Sequence, residues 1–233
     1  MQIENSTVFI TGANRGIGLA FAKAFLVRGA KKVYAGSRDP SKINLNGVTP
    51  VKLDVNSAAD VLVAAQLAQD VTIVVNNAGI ANFGSFMSED AEAMLRNHLE
   101  TNVLGPLRIS RAFAPVLAQN GGGALINVAF IASWITSPKL ASYAVSKSAL
   151  WSLSNGLRND LRGQGTQVLT LHMGFVDTDL TKGIDMPKST PETIVERTLQ
   201  ALQAGAHEVL ADELTQQVRA GLSAEQAVYL AAR

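Results

Sequence analysis

Cysteine is absent from the 233 residues, which excludes disulfides, thiolate nucleophiles, cysteine zinc sites and cysteine-ligated iron–sulfur clusters. Histidine occurs at three scattered positions, too few for a metal centre, so no metal is expected. Aromatic residues make up only 6%, and 20 Lys+Arg against 19 Asp+Glu leave a net charge of +1 without a basic run. Neither a phosphate-tracking surface nor a base-stacking platform follows, which argues against nucleic-acid binding. The most apolar later stretch, residues 125–135, is broken by Asn127 and Ser133 and is too short to span a bilayer. No membrane association is expected, and residues 1–5 lack the basic region and apolar core of a secretory leader. A cytoplasmic protein is the default expectation.

What is present is alternation. β-Branched apolar runs at 7–10, 32–34, 48–53, 72–75, 124–128, 167–172 and 208–210 alternate with Ala/Leu-rich stretches of helical length at 17–27, 58–68, 91–117, 142–161 and 191–204. Strands apolar along their whole length are buried on both faces, which demands a parallel sheet with helices on each side. The expectation is an α/β fold: one doubly wound Rossmann domain over residues 1–233, with about seven strands. Thr190 and Pro191 mark a helix start as N-cap and first helical residue. Gly121-Gly122-Gly123 reads as a loop before a strand, because the alternation continues past it.

The first strand runs directly into Thr11-Gly12-Ala13-Asn14-Arg15-Gly16-Ile17-Gly18 and then a helix. Glycines there allow a tight turn and let the backbone of this segment approach a pyrophosphate at the helix N-terminus. The next strand ends in Ser37-Arg38-Asp39, about 20 residues on, where an adenosine ribose would lie. A guanidinium at this place suits a 2′-phosphate, and Arg15 adds a second cation, so NADP(H) is favoured over NAD(H). In the competing arrangement Asp39 reaches the ribose and Arg38 is a solvated surface charge.

Tyr143 and Lys147 lie four residues apart and share a helix face; a nearby ammonium favours the phenolate and makes the phenol a usable acid. Alone this spacing is common. With the glycine-rich turn, Asn76-Asn77-Ala78-Gly79 closing a strand, Asn102 in Thr101-Asn102-Val103-Leu104-Gly105, and Gly174-Phe175-Val176-Asp177-Thr178, it resembles the one-domain short-chain dehydrogenase/reductase family over essentially the whole chain. The resemblance implies Tyr143 as general acid, Lys147 as nicotinamide-ribose ligand lowering the Tyr143 pKa, and Asn102 as holder of a relay water. It places Asp54 and Val55 beside the adenine, Asn77, Ala78 and Gly79 along the cofactor, Gly174 and Val176 nearby, and Thr178 at the carboxamide. It also implies a homodimer or homotetramer formed through segments 91–117 and 142–161. Leu150, Trp151, Leu153 and Leu157 there read as an apolar assembly face or as a cover for the sheet. The C-terminal segment 214–233 shows an amphipathic rhythm and packs on a neighbour or on its own subunit.

The family's third catalytic group is a serine 13 residues before the tyrosine, a position held here by Phe130, preceded by Ala129. A phenyl ring cannot donate to an oxyanion, and losing such a donor costs about 10²–10³ in rate. Met173 also replaces the family's proline before Gly174. Ala129, Phe130 and Met173 together mark a remodelled, more apolar substrate pocket, as natural divergence or engineering of an ordinary reductase would leave it. Ser133, Thr136 and Ser137 lie too late in the chain to replace the serine without a rearranged loop. His98 reads as a packed or surface residue, His172 as a core position, Trp134 and Trp151 as packing, and Met186 as part of a short substrate loop over 179–189.

The expected function is NADPH-dependent carbonyl reductase or alcohol dehydrogenase acting on a small-molecule carbonyl. Reduction of imines or activated alkenes is the alternative, and a silent NADP(H)-binding protein the third reading.

Overall fold

Every residue of strands β1 (Thr7–Thr11), β4 (Ile73–Asn76) and β5 (Ala124–Val128) is buried, as uninterrupted apolar runs require. With β2 (Lys32–Ser37), β3 (Thr49–Lys52), β6 (Gln167–His172) and β7 (Glu208–Leu210) they form one parallel seven-stranded sheet in the order β3-β2-β1-β4-β5-β6-β7. The computed structural model describes residues 1–231. Pro50 sits in edge strand β3, where a missing N–H does least harm.

Side-chain alternation divides the core. Val8, Ile10 and Ile126 face Phe21 and Phe25 of α1 (Gly16–Val27) and Ile194 and Leu199 of α6 (Pro191–Gln203). Phe9, Val74 and Leu125 face Val61 of α2 (Ala58–Leu67), Ile109 and Phe113 of α4 (Gly105–Gln119) and Leu157 of α5 (Ala141–Asp160). The helix start at Thr190 is as read from the sequence, its side chain accepting from the Thr193 N–H.

Two expectations need correction. The segment 91–117 is not one helix: α3 (Ala91–Leu99) passes into a π-helical turn over Glu100–Leu104 before α4. Pro106 lacks the N–H that would close an α-helical bond to the Asn102 carbonyl, and the Asn102 amide is held at both ends by the Ile80 backbone. Leu150 and Leu157 are buried inside the subunit, so they offer no assembly face. The C-terminal segment packs on its own subunit, one of its two expected arrangements: α7 (Glu213–Ala220) and the short 3₁₀ turns after it bring Val218, Leu222 and Val228 against the core; residues 232 and 233 lie outside the described residues. Among those described, no helix is long and apolar enough to cross a membrane.

Candidate active site

The strand order reverses between β1 and β4, so the loops leaving their C-terminal ends diverge and open a crevice, the place where doubly wound sheets bind ligands. After β1 the chain turns through Gly12 and Gly16 at φ 66° and 55°. The loop is braced from β4: Asn77 Nδ2 donates to the Thr11 and Gly12 carbonyls at 3.0 Å, and Thr11 Oγ1 accepts from the Asn77 and Ala78 N–H groups at 3.0 and 2.9 Å. A Cβ on Gly18 would overlap the Gly12 carbonyl and stand 2.5 Å from Asn77 Nδ2. Gly18→Ala should therefore shift the turn and weaken dinucleotide binding roughly 10-fold or more while lowering Tm, because overpacked backbone costs about 1–3 kcal/mol; fluorescence titration and thermal melts measure both.

The crevice is a cleft of about 600 Å³, within the usual range for small-molecule sites. Gly12, Asn14, Arg15, Gly16 and Ile17 line one wall; Ser37, Arg38, Asp54 and Val55 line the far end; Asn77, Ala78 and Gly79 line the floor. Ala129, Tyr143, Lys147, Met173 and Thr178 line the other end. Gly18, Asn102, Phe130, Gly174 and Val176 stand behind this surface. Asp179 and Leu180 of the expected substrate loop also reach it, and sequence reading missed Lys42, Leu53, Asn56, Ile80, Asn97, Thr101 and Val128, which line it too.

At the far end, Asp39 caps the 3₁₀ turn Pro40–Lys42: its carboxylate accepts from the Ser41 N–H at 3.2 Å and the Ser41 hydroxyl at 2.6 Å, and lies 3.3 Å from Lys42 Nζ. Those contacts, the Ser41 hydroxyl first, hold its pKa below the ordinary carboxylate value. Arg15 pairs with Asp179 at 3.0 Å across the cleft mouth, both side chains largely exposed. An exposed pair of this kind contributes at most about 1 kcal/mol, so Arg15 can exchange Asp179 for another anion at small cost. Asp54 doubles as a turn residue, accepting from the Asn56 N–H, and Thr178 caps the 3₁₀ turn Asp179–Thr181.

At the near end, Tyr143 and Lys147 rise from α5 on one face, both buried. Lys147 Nζ donates to the Val128 carbonyl at 2.8 Å and lies 5.6 Å from the Tyr143 ring centroid. Burial pushes the Tyr143 phenol well above its ordinary value and the Lys147 ammonium down to about 8. The net direction for the phenol is thus upward, with burial as its cause. A pH dependence follows from the two shifts. Between pH 8 and about 10 the folded chain has released the Lys147 proton that the unfolded chain keeps, so stability rises with pH. Above about pH 10 the unfolded chain loses the phenolic proton that folded Tyr143 keeps, and stability falls. Urea midpoints from pH 7.5 to 11 should show the rise in the parent and not in Lys147→Met.

Asn102 does not present its side chain to the cleft. Its amide accepts from the Ile80 N–H and donates to the Ile80 carbonyl, both at 2.9 Å, and donates to Ser146 Oγ at 3.0 Å. Phe130 turns its ring edge-on to Tyr143, 5.7 Å between centroids at 67°, and to Phe175, 5.5 Å at 69°. Ser133 donates to the Lys147 carbonyl at 3.1 Å, so its hydroxyl is turned into α5 and does not replace the missing serine; Thr136 is exposed. His172 is fully buried, stacked on Trp134 at 4.2 Å and 3.7 Å from Glu208. Trp134 and Trp151 meet edge-to-face beneath Arg219, away from the cleft lining.

The model of the short chain dehydrogenase family matches residues 6–188. The chain belongs to that family. It is 30% identical over 220 residues to an uncharacterized oxidoreductase of Staphylococcus haemolyticus, covering 88% of this chain and 94% of that protein. A short chain dehydrogenase from Burkholderia cenocepacia solved in complex with NADP superposes with a TM-score of 0.92 at 36% identity, covering 97% of this chain and 96% of that one. The 3-ketoacyl-(acyl-carrier-protein) reductase of Brucella melitensis, complexed with NADH, gives 0.80 at 26% identity over 89% and 97% of the two chains. This short-chain dehydrogenase is thus an oxidoreductase of the doubly wound type.

Proposed function

We propose that this short-chain dehydrogenase is an NADPH-dependent reductase of small carbonyl compounds. The observation that carries the reading is one cleft bearing the glycine turn with Arg15 on its wall, Arg38 at one end, and Tyr143 with Lys147 at the other. The cradle fits a dinucleotide: Gly12 and Gly16 take positive φ, 66° and 55°, so the turn closes tightly and its backbone can approach a pyrophosphate. Asp39, tied to Ser41 and Lys42, is the less favoured ribose ligand, which supports NADP(H). Lys42 adds a further cation near the same end.

A dihydronicotinamide bound there supplies the hydride. Tyr143 Oη donates its proton to the substrate oxygen as the carbonyl carbon is reduced, and the resulting phenolate is balanced by the Lys147 ammonium before taking a proton back from solvent. The Asn102 carbonyl, deprived of its α-helical partner by Pro106, is the group proposed to hold a relay water, in place of the occupied side-chain amide. Reduction of imines or activated alkenes is the second reading. It is favoured by Phe130 and by the inward-turned Ser133 hydroxyl, since neither substrate class develops a full alkoxide.

Exchanging Arg15 and Arg38 for alanine should raise the NADPH KM roughly 100-fold and leave the NADH KM nearly unchanged, because charge-assisted hydrogen bonds contribute about 1.5–3 kcal/mol each. Initial rates with both cofactors measure this; equal losses with NADPH and NADH would overturn the 2′-phosphate assignment.

A further inference from the structure

We propose that His98 is a positioning residue for the proton donor: together with Asn102 it clamps α5 at Ser142 and Ser146, one on either side of Tyr143. The proposal rests on Tyr143 being the acid, as argued above.

His98 is wholly buried at the end of α3. The Asn82 N–H donates to its Nε2 at 3.0 Å, so Nδ1 carries the ring proton and donates to Ser142 Oγ at 2.9 Å. Ser142 immediately precedes Tyr143. Asn102, four residues after His98, repeats the pattern: it binds the Ile80 backbone on one side and Ser146 Oγ on the other. Ser146 in turn donates to the Tyr143 carbonyl at 2.7 Å. Two side chains on one stripe thus tie segment 80–82 to α5 at residues 142 and 146, one helical turn apart.

The ring contacts serve the same end. His98 stands edge-on to the Tyr143 ring, 6.0 Å between centroids at 69°, and Phe130 makes a second edge-on contact. The clamp needs the neutral imidazole, because a protonated Nε2 would face the Asn82 donor. Burial and the Lys147 charge both push the His98 pKa down. His98 does not reach the cleft surface, so it acts through Tyr143 and not on the substrate. Small misplacements of a reacting group are costly, about 100-fold in rate for roughly 1 Å.

The test compares His98→Gln, whose amide can accept from Asn82 and donate to Ser142, with His98→Phe, which fills the space without either bond. With NADPH and phenanthrenequinone, an activated dicarbonyl, His98→Phe should lose at least 10-fold in kcat while KM and NADPH affinity stay within twofold, and His98→Gln should recover most of the loss. A substrate-independent readout accompanies it: the phenolate absorbance of Tyr143, isolated by subtracting Tyr143→Phe. That signal should be missing up to pH 11 in the parent and His98→Gln, and present in His98→Phe, where the ring is no longer held in its buried place. Equal kcat in the two variants, or a Tyr143 titration unchanged in His98→Phe, would overturn the proposal. Unimpaired turnover in Tyr143→Phe would instead overturn the assignment of the acid on which it rests.

Discussion

Replacing Tyr143 by phenylalanine should reduce turnover of phenanthrenequinone by NADPH about 1,000-fold, within the 10²–10⁴ that a positioned general acid contributes. The change removes one oxygen and keeps the ring, so the edge-on contacts to His98 and Phe130 survive and Tm should scarcely move. NADPH affinity should stay within twofold, since Lys147, Arg15 and the glycine turn are untouched. Steady-state kinetics, fluorescence titration and a thermal melt separate these three quantities. A loss in NADPH affinity with kcat unchanged would mean that Tyr143 binds and does not catalyse.

The second large effect is a gain. Phe130→Ser places a hydroxyl where the ring edge now meets Tyr143 and Phe175, and should speed reduction of simple ketones about 100-fold, the value of one oxyanion donor. It also removes a buried phenyl, 7% exposed, and such truncations cost about 3–5 kcal/mol. The variant should therefore melt well below the parent while outpacing it on ketones. Imine and enone rates should change little, so the ratio of ketone to imine activity is the diagnostic number. No gain on ketones would show that Phe130 shapes the substrate site and that another donor already serves the oxygen.

Local chemistry made much of this site legible. The glycine turn and the pair Tyr143 and Lys147 carry their meaning in short spacings, because each works on a segment that one strand or one helix face sets, whereas Asn77 was placed by the family resemblance. The sheet was legible for a similar reason: apolar runs without alternation admit only a doubly covered parallel sheet. What escaped was tertiary. Asp39 and Arg38 stand side by side in sequence, and only the bonds to Ser41 and Lys42 show which of them is occupied. The Asp179 partner of Arg15 is 164 residues away. His98 looks like any histidine on a polar helix until α5 brings Ser142, 44 residues on, against its ring. The π-helical turn had one local signal, Pro106, whose missing N–H falls opposite Asn102. Leu150 and Leu157 read equally as an assembly face or as a cover for the sheet, because helix periodicity shows a stripe and not what covers it.

The central claim is that the cleft performs NADPH-dependent reduction, and the most direct measurement is NADPH oxidation by the parent protein across ketones, aldehydes, imines and enones, with NADH alongside. The account predicts oxidation of NADPH with at least one class, faster than with NADH, and its abolition in Tyr143→Phe. Tight NADPH binding without turnover of any class, in the parent and in Phe130→Ser alike, would contradict it and leave a cofactor-binding protein that does no chemistry.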